Sequence, residues 1–367
     1  MSILALIFVL GLMVQDVLLF LLIRYNFKLY IKPEQKHWPK VSVLIPSRNE
    51  ESNIQSCLEA ISKLDYPQDK LQLILGNDGS TDQTEIIIKS CIDKMGFDVK
   101  FLNIEKTISG LNGKASALSQ MAKYARGEVL LFTDADCRPH TNWIKSMVAA
   151  QMTSGAALVT GITRVEGKHW FAKMQEIDWW LTLGMVKSMS DIGLNLTSMG
   201  NNMLITKEAY DAVGGFEGIP FSLTEDFEMA RQINKRGFEH VHQVTSGNLI
   251  STQGQKNFPG LLSQRKRWMA GAMALPWSWK LLLGFQVMFF PAMLILLFLH
   301  PFESILIWLL KVLIQGLFVY GFASKTSSKL KIRHLLLFEI YYMITSWSTI
   351  VYYFWPAKTD WKGRKYG

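Results

Sequence analysis

Asp134 and Asp136 stand two residues apart in "FTDADC", directly after an apolar run. At that spacing two carboxylates can project the same way and share a hard cation, Mg²⁺ or Mn²⁺, that would also hold phosphate oxygens. The plain alternative is a solvated strand end. Upstream, "GNDGSTD" sets Asn77 and Asp78 before a glycine turn. Asp78 could hydrogen-bond a nucleotide base or ribose, and Asp82 could cap the next helix. "SRNEE" carries Arg48 and Glu50 behind Pro46, either as nucleotide ligands or as the opening of a helix. "GLNGKASAL" puts Lys114 at a helix start, where a cation and open backbone N–H groups suit a diphosphate. "SLTEDFEMA" places Glu225, Asp226 and Glu228 in a first helical turn behind Thr224, a candidate N-cap. Carboxylates there suit the macrodipole, and one of them could be a general base. "SQRKRWMAG" crowds Arg265, Lys266 and Arg267 against Trp268.

Several of these clusters follow a short, β-branched or aliphatic run. "VSVLIP", "LQLILG", "VKFLNI", "EVLLF" and "AALVTGITRV" read as five strands. Between them, 54–64, 82–95, 114–124 and 143–152 carry helical spacing. Strands alternating with helices predict an α/β domain with a mainly parallel sheet. Such sheets bind ligands beyond the carboxyl ends of their strands, where the polar clusters fall.

Of 367 residues, 49% are hydrophobic, and they are unevenly spread. Ile3 to Ile23 is one apolar run broken by Gln15 and Asp16, and 281–299, 305–322 and 335–355 are three more. Each approaches the roughly 20 residues a helix needs to cross hydrocarbon. The first lacks a basic leader and a small-residue cleavage site, so an uncleaved anchor is expected. The implied organisation is an anchor at 1–28, a linker at 29–40 and a catalytic domain at 41–257. An interfacial helix follows at 258–280, then membrane helices at 281–356 and a basic tail at 357–367.

Much of the net charge of +9 flanks the apolar runs rather than marking the domain, which argues against nucleic acid as a partner. Flanking cations mark the cytoplasmic side, giving a multi-pass protein of the cell membrane with its domain in the cytoplasm. Three C-terminal crossings would leave "KGRKYG" outside. Either the tail breaks the charge pattern, or 335–355 does not fully cross. Asp16 and Lys311 could pair within the spans. The three cysteines have no metal-like spacing and read as reduced thiols.

"VSVLIPSRNEE", "NDGSTD", "NGKASAL", "FTDAD", "TED" and "QRKRW" occur in an order and spacing that resembles the family 2 inverting glycosyltransferases. The resemblance covers about 41–268 and points to the membrane-anchored branch with D, D-x-D, TED and Q-x-x-R-W motifs. It implies a GT-A fold (α/β, Rossmann-like) with one N-terminal and about three C-terminal transmembrane helices. It implies that Pro46, Arg48, Glu50, Asn77, Asp78, Lys114, Asp134, Gln264 and Arg267 surround a nucleotide sugar, UDP-linked in the first instance. Asp134 and Asp136 would hold Mg²⁺ or Mn²⁺. Asp226 would be the base, with Glu225 and Arg267 in the catalytic set. Trp268, with Asn201 and Asn202 of "MGNNMLI", would face the acceptor. Many relatives carry aspartate where Asn77 stands, which bears on the nucleotide preferred.

The tail "TDWKGRKY" resembles lipid-directed ceramide and carotenoid glucosyltransferases. That implies transfer of one sugar to a membrane-lipid hydroxyl, forming a β-linkage. The alternatives are a processive polysaccharide synthase and a non-catalytic tethered binding protein. On a helix starting near Pro259, Gln264, Arg267 and Trp268 share a face, while Arg265 and Lys266 are expected to meet lipid headgroups.

Overall fold

The computed structural model describes residues 2–31, 37–195, 197–356 and 359–366. Part of the expected linker (32–36) and of the tail (357, 358, 367) lies outside the described residues. The first element is a long apolar helix, α1 (Ser2–Tyr25). The α/β domain then opens with β1 (Val41–Ser47), α2 (Ile54–Ile61), β2 (Leu71–Asn77), α3 (Thr84–Ile92), β3 (Asp98–Asn103), α4 (Gly113–Ala122) and β4 (Val129–Phe132). It continues through β5 (Cys137–Pro139), α5 (Trp143–Ser154), β6 (Leu158–Thr160), β7 (Ile162–Glu166), α6 (Trp170–Asp191), β8 (Met203–Thr206) and α7 (Lys207–Ala212). It closes with α8 (Glu225–Lys235), β9 (His240–His242) and β10 (Leu249–Gln253).

Seven strands form one sheet in the order β3-β2-β1-β4-β8-β6-β9, parallel except for β8. The aliphatic runs of β1 and β2 are buried throughout, as strands covered on both faces must be. One face packs on α2 and α5 through Cys57, Leu58, Trp143 and Met147. The other packs on α4 and α8 through Leu118, Met121, Met229 and Ile233.

The expected fifth strand is two. It breaks at Gly161, after which β7 joins β10 and β5 in a second, three-stranded sheet. A side chain on Gly161 would collide with the Asn202 amide, so only glycine lets the chain cross there. The helix expected from Asp82 begins at Thr84, whose N–H donates to Asp82 Oδ1 at 3.0 Å.

Beyond the domain come α9 (Phe258–Met273), α10 (Trp277–Leu299), α11 (Pro301–Ser324) and α12 (Ile332–Phe354). A short hairpin, β11 (Thr359–Trp361) and β12 (Arg364–Tyr366), follows them. α1, α10, α11 and α12 are each long and apolar enough to cross a membrane. They join the domain through α6, where Trp180 packs on Phe322 and Gly184 admits Phe318. Lys311 pairs with Glu339 of α12 at 2.7 Å, not with Asp16 as the sequence suggested. Glu339 sits two turns into its helix, whereas Asp16 Oδ2 is buried with no hydrogen-bond partner among the described residues.

Both ends of α12 return to the globular part. At its start, Leu335 packs into the cluster that contains Ile23 and Trp180. At its end, Lys266 of α9 donates to the Trp355 carbonyl at 2.9 Å. The basic tail therefore lies on the domain's side.

Candidate active site

The carboxyl ends of β1, β2 and β4 bring Pro46, Arg48, Glu50, Asp78, Asp134 and Asp136 to one cavity. The α4 N-terminus closes it from the side. Asn112 caps that helix by accepting from the Ala115 N–H at 2.8 Å, and its amide donates to Ser222 O and to Glu225 Oε2. Lys114 stands in the first turn of α4, paired with Asp134 at 2.6 Å and Glu225 at 3.3 Å. Burial alone would depress its ammonium. The carboxylates of Asp134, Glu225 and Asp226 outweigh burial and hold it charged, above its ordinary value.

Asp136 is half-buried beside Asp134 and Glu50. Burial, then those like charges, raise its carboxyl to about 6. This is a pair of hard oxygen ligands lining one cavity. It fits a Mg²⁺-type ion, which takes one or two carboxylates and completes its shell with substrate phosphates.

Asp226 opens α8. Its Oδ2 accepts from the Gly200 N–H at 2.6 Å and its Oδ1 from its neighbour's N–H, Phe227, at 2.8 Å. Burial, with Glu225 adjacent, raises it to about 6, against the pull of Lys114. A carboxylate held by two backbone donors and poised near neutrality is suited to taking a proton. Thr224 precedes it at the N-cap position but makes no capping bond. Its hydroxyl turns to Ser222 Oγ instead.

α9 lies over this cluster. Gln264, Arg267 and Trp268 all line the cavity, as their shared face required. Trp268 meets Trp179 of α6 edge-on at 5.5 Å. From here the same cavity, about 1100 Å³, continues away from the acids. It runs past Leu183 and Val186 of α6 to Val14, Leu18 and Leu22 of α1 and Leu283 and Phe285 of α10. One end is ringed by carboxylates and the other by aliphatic side chains of membrane-type helices.

A family model for glycosyl transferase family 21 matches residues 3–367. The chain belongs to that family. The motif resemblance pointed to family 2; the α/β, GT-A-like fold that it implied is the one present. This family 21 enzyme is 25% identical over 241 residues to a beta-monoglucosyldiacylglycerol synthase of Synechocystis sp., covering 64% of this chain and 48% of that protein. It is 28% identical over 250 residues to a poly-beta-1,6-N-acetyl-D-glucosamine synthase of Staphylococcus epidermidis, covering 67% and 58%. The chain thus spans about half the length of the curated relatives it matches. Its fold matches the mannosyltransferase PcManGT of Pyrobaculum calidifontis, solved in complex with GDP-Man and Mn²⁺. There the TM-score is 0.62 at 16% identity, with 96% of this chain and 98% of that one covered.

Four sequence expectations are corrected by geometry. Asn77 does not face the cavity; its amide donates to Glu85 and Asn103, and its Oδ1 accepts from the Ser80 N–H. Asn202 is fully buried and spends its side chain on the Ile162 and Asn248 carbonyls and the Trp143 indole. Its neighbour Asn201 does line the cavity. Arg265 is no headgroup ligand, because it pairs with buried Asp178 of α6. Lys266 turns to α12, over the Tyr352 ring and onto Trp355 O.

Two groups were not among the expected site residues. Lys187 of α6 is fully buried and donates to Asp191, to Lys28 O and to His242 O, each at 2.7 Å. With Tyr30 bonded both ways to the Gln243 amide, it fastens the chain leaving α1 onto the domain. The tail residues Lys362 and Arg364 reach Glu50 and Asp78. The sequence signalled the latter as the tail "TDWKGRKY", which resembles that of lipid-directed relatives and which a third crossing would have put on the wrong side.

Proposed function

We propose that this glycosyltransferase moves a single sugar from a nucleotide sugar, UDP-linked in the first instance, to a hydroxyl of a membrane lipid. The continuous cavity carries this reading. A charged donor suits the end with Lys114, Asp134 and Asp136, and an acyl chain suits the arm between α1, α6 and α10. The names of relatives agree on both halves: one is a glucosyldiacylglycerol synthase, and the fold neighbour was solved with a nucleotide sugar and Mn²⁺.

Asp134 and Asp136 would hold a Mg²⁺ or Mn²⁺ ion, which supplies Lewis-acid neutralisation of the leaving diphosphate. Lys114 and Arg267 meet the same developing charge with fixed donors. Asp226 takes the proton of the acceptor hydroxyl as its oxygen attacks the anomeric carbon from the side opposite the leaving group. A single displacement inverts the centre and gives a β-linkage from an α-linked donor. Glu225 stays on Asn112 and Lys114, holding the lysine in place. Trp268 and Asn201 face the acceptor. The cations that flank the apolar helices support a domain on the cytoplasmic face of the membrane.

Full-length protein in detergent, given labelled UDP-hexoses, Mn²⁺ and a membrane lipid extract, tests this directly. The expected product is a lipid carrying one sugar, identified by mass spectrometry and lost on chelation of the metal. A long polymer would instead favour the second reading, a polysaccharide synthase like the staphylococcal relative.

A further inference from the structure

The C-terminal hairpin turns through Lys362 and Gly363, both with positive φ (48° and 80°). Two-residue turns of this kind favour asparagine or glycine at the first position. Here a lysine occupies it, in a backbone region that disfavours long side chains. The hairpin lies on the donor end of the cavity. Arg364 forks onto Asp78, with Nη1 to Oδ2 at 2.6 Å and Nη2 to Oδ1 at 2.9 Å. Lys362 donates to the Arg48 carbonyl at 3.0 Å and to Glu50, and Arg48 Nε donates back to the Lys362 carbonyl at 3.2 Å. Lys362 lines the cavity and offsets the charge of Asp136.

Arg364 also crosses the first turn of α4, so closely that a side chain on Gly113 would run into it. A guanidinium at the positive end of a helix is unfavourably placed on its own. The Asp78 carboxylate, held by both its Nη atoms, offsets it. Lys114 and Lys362 thus line one cavity, the first from a domain helix and the second from a segment about 250 residues away in sequence that Arg364 fastens to Asp78.

We infer that the hairpin is a wall of the donor site: Lys362 is a ligand of the donor's diphosphate, and Arg364 is the latch that seats it through Asp78. Each Asp78 oxygen keeps a lone pair for the nucleoside while it holds Arg364. Before the donor arrives, Lys362 rests on Glu50. When phosphates enter, it exchanges that carboxylate for them. The C-terminal helix α12 thereby contributes to binding the donor through the segment it carries. This rests on the nucleotide-sugar reading above.

The test uses full-length protein in detergent with Mn²⁺ and titrates UDP, GDP, uridine and guanosine by calorimetry. The wild type should bind one nucleoside diphosphate. Lys362→Ala should weaken that diphosphate at least tenfold and leave the matching nucleoside unchanged, and Lys362→Arg should recover most of the loss. Arg364→Ala should weaken both and speed hydrogen exchange across the hairpin. Unchanged diphosphate affinity in Lys362→Ala, with the thermal transition intact, overturns the inference. Tighter binding overturns it as well, because the hairpin would then be a competitor for the site. If the wild type binds none of the four, the nucleotide reading itself fails, and this inference with it.

Discussion

Replacing Asp226 by asparagine separates chemistry from stability, because the two should move in opposite directions. Its carboxyl rises from 3.8 to about 6, and a rise of that size is worth about 3 kcal/mol against the charged form. The folded protein holds this proton more tightly than the unfolded chain. Stability from the group is therefore whole below 3.8, is lost as pH climbs through about 6, and stays lost above it. Asparagine carries no charge, so the variant escapes that loss. It offers one acceptor where the Gly200 and Phe227 N–H groups need two, which costs about 1 kcal/mol. The net expectation is a variant about 2 kcal/mol more stable than wild type at pH 8, with no such gain at pH 4.

Its turnover should fall by about 10²–10⁴-fold, the usual worth of a general base. Wild-type kcat/KM should drop about tenfold for each pH unit below the Asp226 pKa of about 6 and level off above it. That acid limb should vanish in the variant. Initial rates of labelled-sugar transfer from pH 4.5 to 8, with thermal unfolding and donor calorimetry alongside, read all of this. Turnover within tenfold of wild type, or donor affinity falling in step with turnover, would refute the role.

Other expectations follow from packing. Leu18→Trp or Leu183→Trp should block the apolar arm, cutting lipid transfer at least tenfold while donor binding by calorimetry stays level. Equal transfer to lipid would show that the acceptor takes another route. Arg265→Ala or Asp178→Ala alone leaves a buried charge and should cost about 3–5 kcal/mol by denaturant titration, while Arg265→Met with Asp178→Leu should recover most of it. Exchanging the charges, Lys311→Glu with Glu339→Lys, should restore the thermal stability that each single change removes; failure to do so would mean the pair is not what holds α11 to α12.

What was legible in the sequence was whatever repeats at short range. The aliphatic strands, the long apolar helices and the one-face spacing of Gln264, Arg267 and Trp268 are local patterns, and the structure contains them. What was not legible depends on partners far along the chain. Arg265 and Lys266 look like headgroup ligands until Asp178 and the end of α12 arrive beside them. α6 hides for a related reason: it meets the sheet on one side and membrane helices on others, so its apolar residues show no single face. Asn202 sits in a polar loop and looks exposed, yet the break at Gly161 makes the room that buries it. The basic tail was the one place where a sequence rule gave a contradiction, and the return of α12 to the domain resolves it.

The clamp of Lys187 on the chain leaving α1 has a consequence for selectivity. With α1 across a bilayer, a site tied to the chain that leaves it would keep a fixed distance from the hydrocarbon boundary. The protein would then work as a depth gauge. On the function proposed above, a lipid would be accepted when its hydroxyl rides at the level of Asp226, and one whose hydroxyl is carried higher on a longer headgroup would be passed over.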